Sequence, residues 1–180
     1  MTNKSIKLNA SKIIGIREEI SKKKKKYWDI ITTTNLLSNK EVKNGLRTHD
    51  LKVLYNKIMQ MSEKLVYIKG MLAYLNMGVT TFDKEDFKKT NNYNIFMACE
   101  MKEAIVHLNK IPTLNEKLKA SKGLKAIGKS EVFSSAKIAA LKKDLNLKAN
   151  KFDAELEKFN INTNIDITSE IDDYKDFLTL

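Results

Sequence analysis

The chain has 180 residues, 31% of them charged, with one proline, six glycines and one cysteine. That length lets one domain bury a core without staples, and the single cysteine excludes an internal disulfide framework and a cysteine-based zinc site. A formal charge of +11 points to anionic partners, but only Arg17 and Arg47 of the 33 basic residues are arginine, so the bidentate guanidinium contacts of sequence-specific DNA readers are not expected.

The abundance of Lys, Asn and Ile is also what drift towards AT-rich codons would produce. No run of 18 apolar residues occurs, and residues 1–9 lack the apolar core of a secretory signal, so a cytoplasmic protein with no membrane role is expected.

The first helix is expected over residues 9–32, capped by Asn9 or Ser11, with Ile13, Ile16, Ile20, Tyr27 and Ile31 at helical spacing and Trp28 beside them. Lys22, Lys23, Lys24, Lys25 and Lys26 interrupt that face. Five lysines wrap more than a turn, so one, Lys23 or Lys24, must lay its stem along the core and lift its amine to water. A phosphate-binding patch is the functional reading of this run; a solvated, snorkelling face is favoured over it.

Residues 33–49 read as a polar loop, with Asn39, Asn44 and Gly45 as turn formers and Leu36 and Leu37 as its anchor. The stretch over 50–77 is the strongest signal in the chain. Leu51, Ile58, Leu65 and Leu72 form one heptad series, and Leu54, Met61, Ile68 and Leu75 a second, so this long helix is central to several partners. Tyr55, Val66, Tyr67, Ala73 and Tyr74 widen its apolar face. Thr48 or Asp50 caps it, and Asn76 with Gly78 ends it.

Asp83, Glu85 and Asp86 can start one short helical turn, with Phe82 and Phe87 packed inward. A third helix follows over 92–111, capped by Asn92 or Asn94, burying Met97, Met101, Ala104, Leu108 and Ile111 and stopped by Pro112. Cys99 and His107 lie about 12 Å of rise apart on it, too far to react together; a buried or half-buried cysteine and a solvent-edge histidine are expected.

Residues 113–133 are irregular, with Lys117, Lys119, Lys122, Lys125 and Lys129 among small residues, Gly123 and Gly128. Such a loop suits a sequence-independent phosphate contact, but it has no aromatic interleaf for base stacking and no strand before Gly128-Lys129-Ser130 to make a nucleotide loop. A fourth helix over 134–160, capped by Ser134 or Ser135, carries Ile138, Leu141, Leu145, Ala149, Phe152, Leu156 and Phe159 on one stripe.

Residues 161–180 form an acidic tail, with Asp166, Glu170, Asp172, Asp173 and Asp176 against Lys175, or −4, leaving +15 on residues 1–160. It ends in a short amphipathic helix with Ile171, Tyr174, Phe177 and Leu178. The tail can fold back on the basic body or stay solvated.

Leu8, Ile14 and Arg17, then Leu72, Leu75 and Asn76, and last Phe152-Asp153-Ala154-Glu155-Leu156-Glu157-Lys158-Phe159-Asn160 resemble the septicolysin-annotated family of small helical proteins of bacteria and phages. Asp153 and Asn160 match a family spacing, and Ile161 stands where that family has tryptophan. The resemblance implies an antiparallel four-helix bundle without an established activity. A lytic role does not follow, because a pore needs a transmembrane helix or strands able to close a barrel.

The expected fold is therefore all-α: an antiparallel four-helix bundle with one long central helix, in a domain of residues 1–160 followed by the tail. No catalytic constellation, cofactor site or metal site is read: His49 and His107 cannot be placed together, and no Glu-x-x-His motif occurs. The expected function is a non-enzymatic assembly module binding itself or a helical partner through Tyr67, Tyr74, Val66 and Trp28. The alternative is non-specific nucleic-acid binding through the two lysine groups.

Overall fold

The computed structural model describes residues 7–114 and 128–163. They form six helices: α1 (Ala10–Thr34), α2 (Asn39–Lys43), α3 (Leu51–Asn76), α4 (Lys84–Lys88), α5 (Asn91–Asn109) and α6 (Ser135–Asn162). Two three-residue strands, β1 (Leu36–Ser38) and β2 (Lys129–Glu131), pair antiparallel with Leu37 opposite Ser130. The protein is mostly helical, as its composition requires, and the four long helices start and stop within two residues of their expected bounds.

Local chemistry explains those bounds. Asn9, Asp50 and Ser134 accept from first-turn amides of α1, α3 and α6, giving orphan donors their partners. Thr90 caps α5, in place of the expected Asn92 or Asn94. Beyond α3, Gly78 takes φ +76°, a left-handed conformation that residues with a Cβ rarely adopt.

Residues 33–49 are more ordered than a loop. Ser38 and Glu41 close a capping box on α2, and β1 pairs with a strand more than ninety residues later. Three-residue strands are too short to print an alternation in the sequence. The expected domain boundary at 160 falls inside α6, and the expected C-terminal amphipathic helix lies outside the described residues.

α1 packs closely on α3, α3 on α5, and α5 on α6. One apolar cluster joins Trp28 and Ile31 of α1, Leu51, Leu54 and Ile58 of α3, Met101, Ala104 and Leu108 of α5, and Ile138 and Leu145 of α6. A second, aromatic cluster surrounds Phe87 of α4, with Val66, Tyr67, Tyr74, Phe82 and Tyr93 around it. Its centre explains a glycine in mid-helix. A Cβ on Gly70 would come within 3 Å of three atoms of the Phe87 ring, so α3 keeps a residue with no side chain where the ring presses on its backbone.

Candidate functional site

The expected protein interface is corrected by burial. Trp28, Val66 and Tyr67 are 1%, 0% and 7% exposed, and Tyr74 is half-buried with its ring edge-on to both Phe82 and Phe87. The reason is α4. Its Phe87 fills the space beside the second edge of α3 that four helices alone would leave open. Trp28 faces inward, edge-on to Tyr55 and stacked on His107 with ring centroids 4.9 Å apart.

The lysine run divides. Lys22, Lys23, Lys25 and Lys26 are exposed, whereas Lys24 is 3% exposed. The Lys24 amine does not snorkel to water. It pairs with Glu100 and, at 3.1 Å, with Glu103, both on α5. Glu100, itself 2% exposed, also accepts from Lys69 of α3 at 2.8 Å. Removing a carboxylate from such a network would strand a buried ammonium, whereas the intact set is compensated.

Burial alone would raise the Glu100 pKa; the ammonium groups of Lys24 and Lys69 outweigh it and hold the carboxyl below its ordinary value. Burial pushes the His107 imidazole down from its ordinary value, against the pull of Glu103. His107 keeps a solvent edge, as expected, with its side chain 24% exposed. Cys99 is exposed, not buried or half-buried, because it occupies the outward position between buried Ala98 and Glu100.

This network floors a groove of about 550 Å³ between α1, α3 and α5. Arg17, Ser21, Lys24 and Trp28 recur at helical spacing along one face of α1, and Glu100, Glu103 and His107 along one face of α5, with Lys110 at its C-cap. Leu65 and Lys69 of α3 complete the wall. The groove was hidden in the sequence because its members come from segments about 40 and 75 residues apart. A buried lysine inside a run of five has no local mark that separates it from its neighbours.

On another side of α1, Lys22, Lys23 and Lys26 line a second, shallower cavity of about 460 Å³ with Tyr27 and His49. Lys129 is exposed on β2, opposite Ser38 and beyond the end of α1. Lys129 does not line that second cavity. Lys117, Lys119, Lys122 and Lys125 lie outside the described residues.

Among the described residues no group of His, Cys, Asp and Glu could hold a metal ion, and no helix is long and apolar enough to cross a membrane. Comparison with known proteins finds no matching family model, curated protein or solved structure.

Proposed function

We propose that the chain is a non-enzymatic helical assembly module that binds a second copy of itself, built, as in the family it resembles, on four long helices packed up and down. Ring contacts support the antiparallel order. Trp28, late in α1, meets Tyr55, early in α3; Tyr93, early in α5, meets Phe152, late in α6.

The observation that carries the reading is the apolar stripe of α6. Ile138, Leu145 and Ala149 are buried, Phe152 and Leu156 are half-buried, and Phe159 is 47% exposed. The same face thus continues in sequence after its cover has thinned. Most exposed apolar residues lie on the matching termini, with Ile14 and Ile16 on α1, Met77 and Val79 after α3, and Ile161 on α6, while Leu46, Val53, Val106 and Leu147 are exposed elsewhere. An apolar surface shared by several helix ends marks an association site more often than scattered single residues do.

Sedimentation velocity over a concentration series tests the reading. Wild type should move from monomer to dimer, and Phe159→Glu should stay monomeric with its thermal midpoint unchanged. A wild-type monomer at every concentration would remove it.

The exposed lysines support a second reading, contact with nucleic acid independent of sequence. Lys22, Lys23 and Lys26 share a cavity with Tyr27 and His49, and none of the three has an ion-pair partner among the described residues. Phosphate contacts of this kind weaken steeply as salt rises, so mobility shifts of random RNA at low salt, lost when these three lysines become glutamine, separate this reading from the first.

A further inference from the structure

The groove between α1, α3 and α5 carries more than the ion pairs at its floor. Lys24 and Lys69 are matched by Glu100 and Glu103. Around them, three further cations line the groove, Arg17, Lys25 and Lys110, against one further carboxylate, Asp29. None of the four has an ion-pair partner among the described residues, so three cations against one carboxylate leave an excess of two positive charges. Depressed protonation keeps His107 from adding a third at neutral pH.

The cations are spread out. Arg17 and Lys25 are eight residues apart on α1, about 12 Å of rise, and Lys110 lies one turn beyond the His107 that stacks on Trp28. The two arginines of the chain also differ in use. Arg47 makes four hydrogen bonds, to Thr34, Asn35 and Ser130, while the guanidinium of Arg17 has no such partner among the described residues and lines the groove. Trp28 is 1% exposed, lines the same groove, and has an indole Nε1–H without an acceptor among the described residues.

Only Trp28 and Leu65 among the lining residues are apolar, and the rest are polar or charged, so a ligand of this groove is held chiefly by charge and hydrogen bonds while the ring and the alkyl stems of the lysines supply apolar contact. Ion pairs on its floor hold Lys24 and Lys69 in place before any ligand arrives, which reduces what binding must order. We propose that this groove binds a small organic phosphate carrying negative charge at two separated points, with Arg17, Lys25 and Lys110 as the anion-recognising groups. Guanidinium suits phosphate through paired hydrogen bonds, and the lysines act as point charges along the length of the ligand.

Trp28 is the only tryptophan in the chain, so its emission reports on the groove directly. The full chain is titrated with a hexose bisphosphate, with inorganic phosphate and with oligothymidylate, each at ionic strength held constant by sodium chloride. The hexose bisphosphate should give a saturable change and bind roughly ten-fold tighter than inorganic phosphate, since each charge-assisted contact contributes about one decade. Arg17→Gln and Lys110→Gln should each weaken it roughly ten-fold, while Lys26→Gln, outside the groove, leaves it unchanged. Absence of saturation with the bisphosphate overturns the proposal. So does equal weakening by all three substitutions, which is a general charge effect, and so does saturation by oligothymidylate alone, which assigns the groove to a polynucleotide.

Discussion

The two ends of the molecule are held by different means. At the end where α1 stops, side chains bond to the backbone of several segments. Buried Asn35 donates through Nδ2 to the carbonyl oxygens of Pro112 (2.8 Å) and Phe133 (3.0 Å), and its Oδ1 accepts from the Phe133 amide (2.7 Å). Arg47 donates to the carbonyl oxygens of Thr34, Asn35 and Ser130, and Leu114 donates to Glu131 (2.8 Å). Four chain segments are tied there by three side chains, Asn35, Arg47 and Glu131, and a short sheet. At the opposite end no comparable polar junction occurs among the described residues. Apolar burial there falls away, and Met77 and Ile161 are 62% and 73% exposed. Hydrogen bonds tolerate one geometry, whereas thinning apolar contact leaves surface for another chain. The contrast teaches that polar junctions fix the geometry at one end, while the other leaves apolar side chains uncovered.

The sharpest way to break the contrast is at Asn35. Asn35→Ala leaves two carbonyls and one amide unpaired in a buried site and should lower unfolding stability by about 4 kcal/mol in urea titrations, each orphaned group contributing about 1–3 kcal/mol at most. An effect below about 1 kcal/mol, the ordinary size of a point substitution, would mean that the junction does not hold this end. Next come the leucines of α3. Leu65 is 4% exposed and Leu72 is only half-buried, so Leu65→Ala should cost about 3 kcal/mol and Leu72→Ala about half as much. Equal losses would show that burial does not decline along α3.

Gly70→Ala probes the aromatic cluster between the two ends. Phe87 is fully buried and boxed by Tyr67, Tyr74, Phe82 and Tyr93, so its ring has no free direction to retreat. Overpacking of about 1–3 kcal/mol exceeds the gain in helix propensity of about 1 kcal/mol, and a net loss near 1 kcal/mol is expected. Phe87→Leu in the same background should recover part of it, because a smaller side chain gives the new methyl room. Smaller still is Phe159→Glu, which should change stability by less than about 0.5 kcal/mol while removing the association that an exposed stripe permits.

The periodic parts of this fold were legible. Apolar residues at seven- and 3.6-residue spacing name each long helix, and Asn9, Asp50 and Ser134 mark where three of them begin. Contacts between distant segments were not. Asn35 looks like one more polar residue of a loop, and its burial depends on Phe133, 98 positions later. Lys24 is chemically identical to its four neighbours, and only Glu100, 76 positions later, separates it from them. Trp28 reads as surface because it sits beside the isoleucine stripe, yet α3 and α5 close over it with Tyr55 and His107. Aromatic residues on the outer edge of α3 read as an interface: the short turn with its inward Phe87 is legible at α4, but nothing local shows that it is this edge of α3 onto which Phe87 packs. The reading of a sticky face was sound chemistry applied to a surface the chain covers itself.

Acid should act on the locked half first, and by the smallest amount. His107 sits in the last turn of α5, and burial lowers its pKa from 6.5. The unfolded chain therefore takes up this proton before the folded one, so the stabilising effect is present above pH 6.5 and is lost as pH falls from there through the folded value. Glu100 follows in a lower window. Its folded pKa lies below 4.5, so its contribution is present above that value and is lost as pH falls through the folded pKa. The two windows are separable because the chain has only one other histidine, His49, which is exposed. Urea midpoints measured across a pH series should fall in two stages. His107→Phe, which keeps a ring against Trp28, should flatten the upper stage and leave the lower one in place. Glu100→Gln should lower the midpoint throughout, because Lys24 loses its buried partner, while preserving the upper stage. A midpoint that stays level through the upper window in wild type would mean that His107 titrates as it does in the unfolded chain, and that its stacking on Trp28 does not shield it from water.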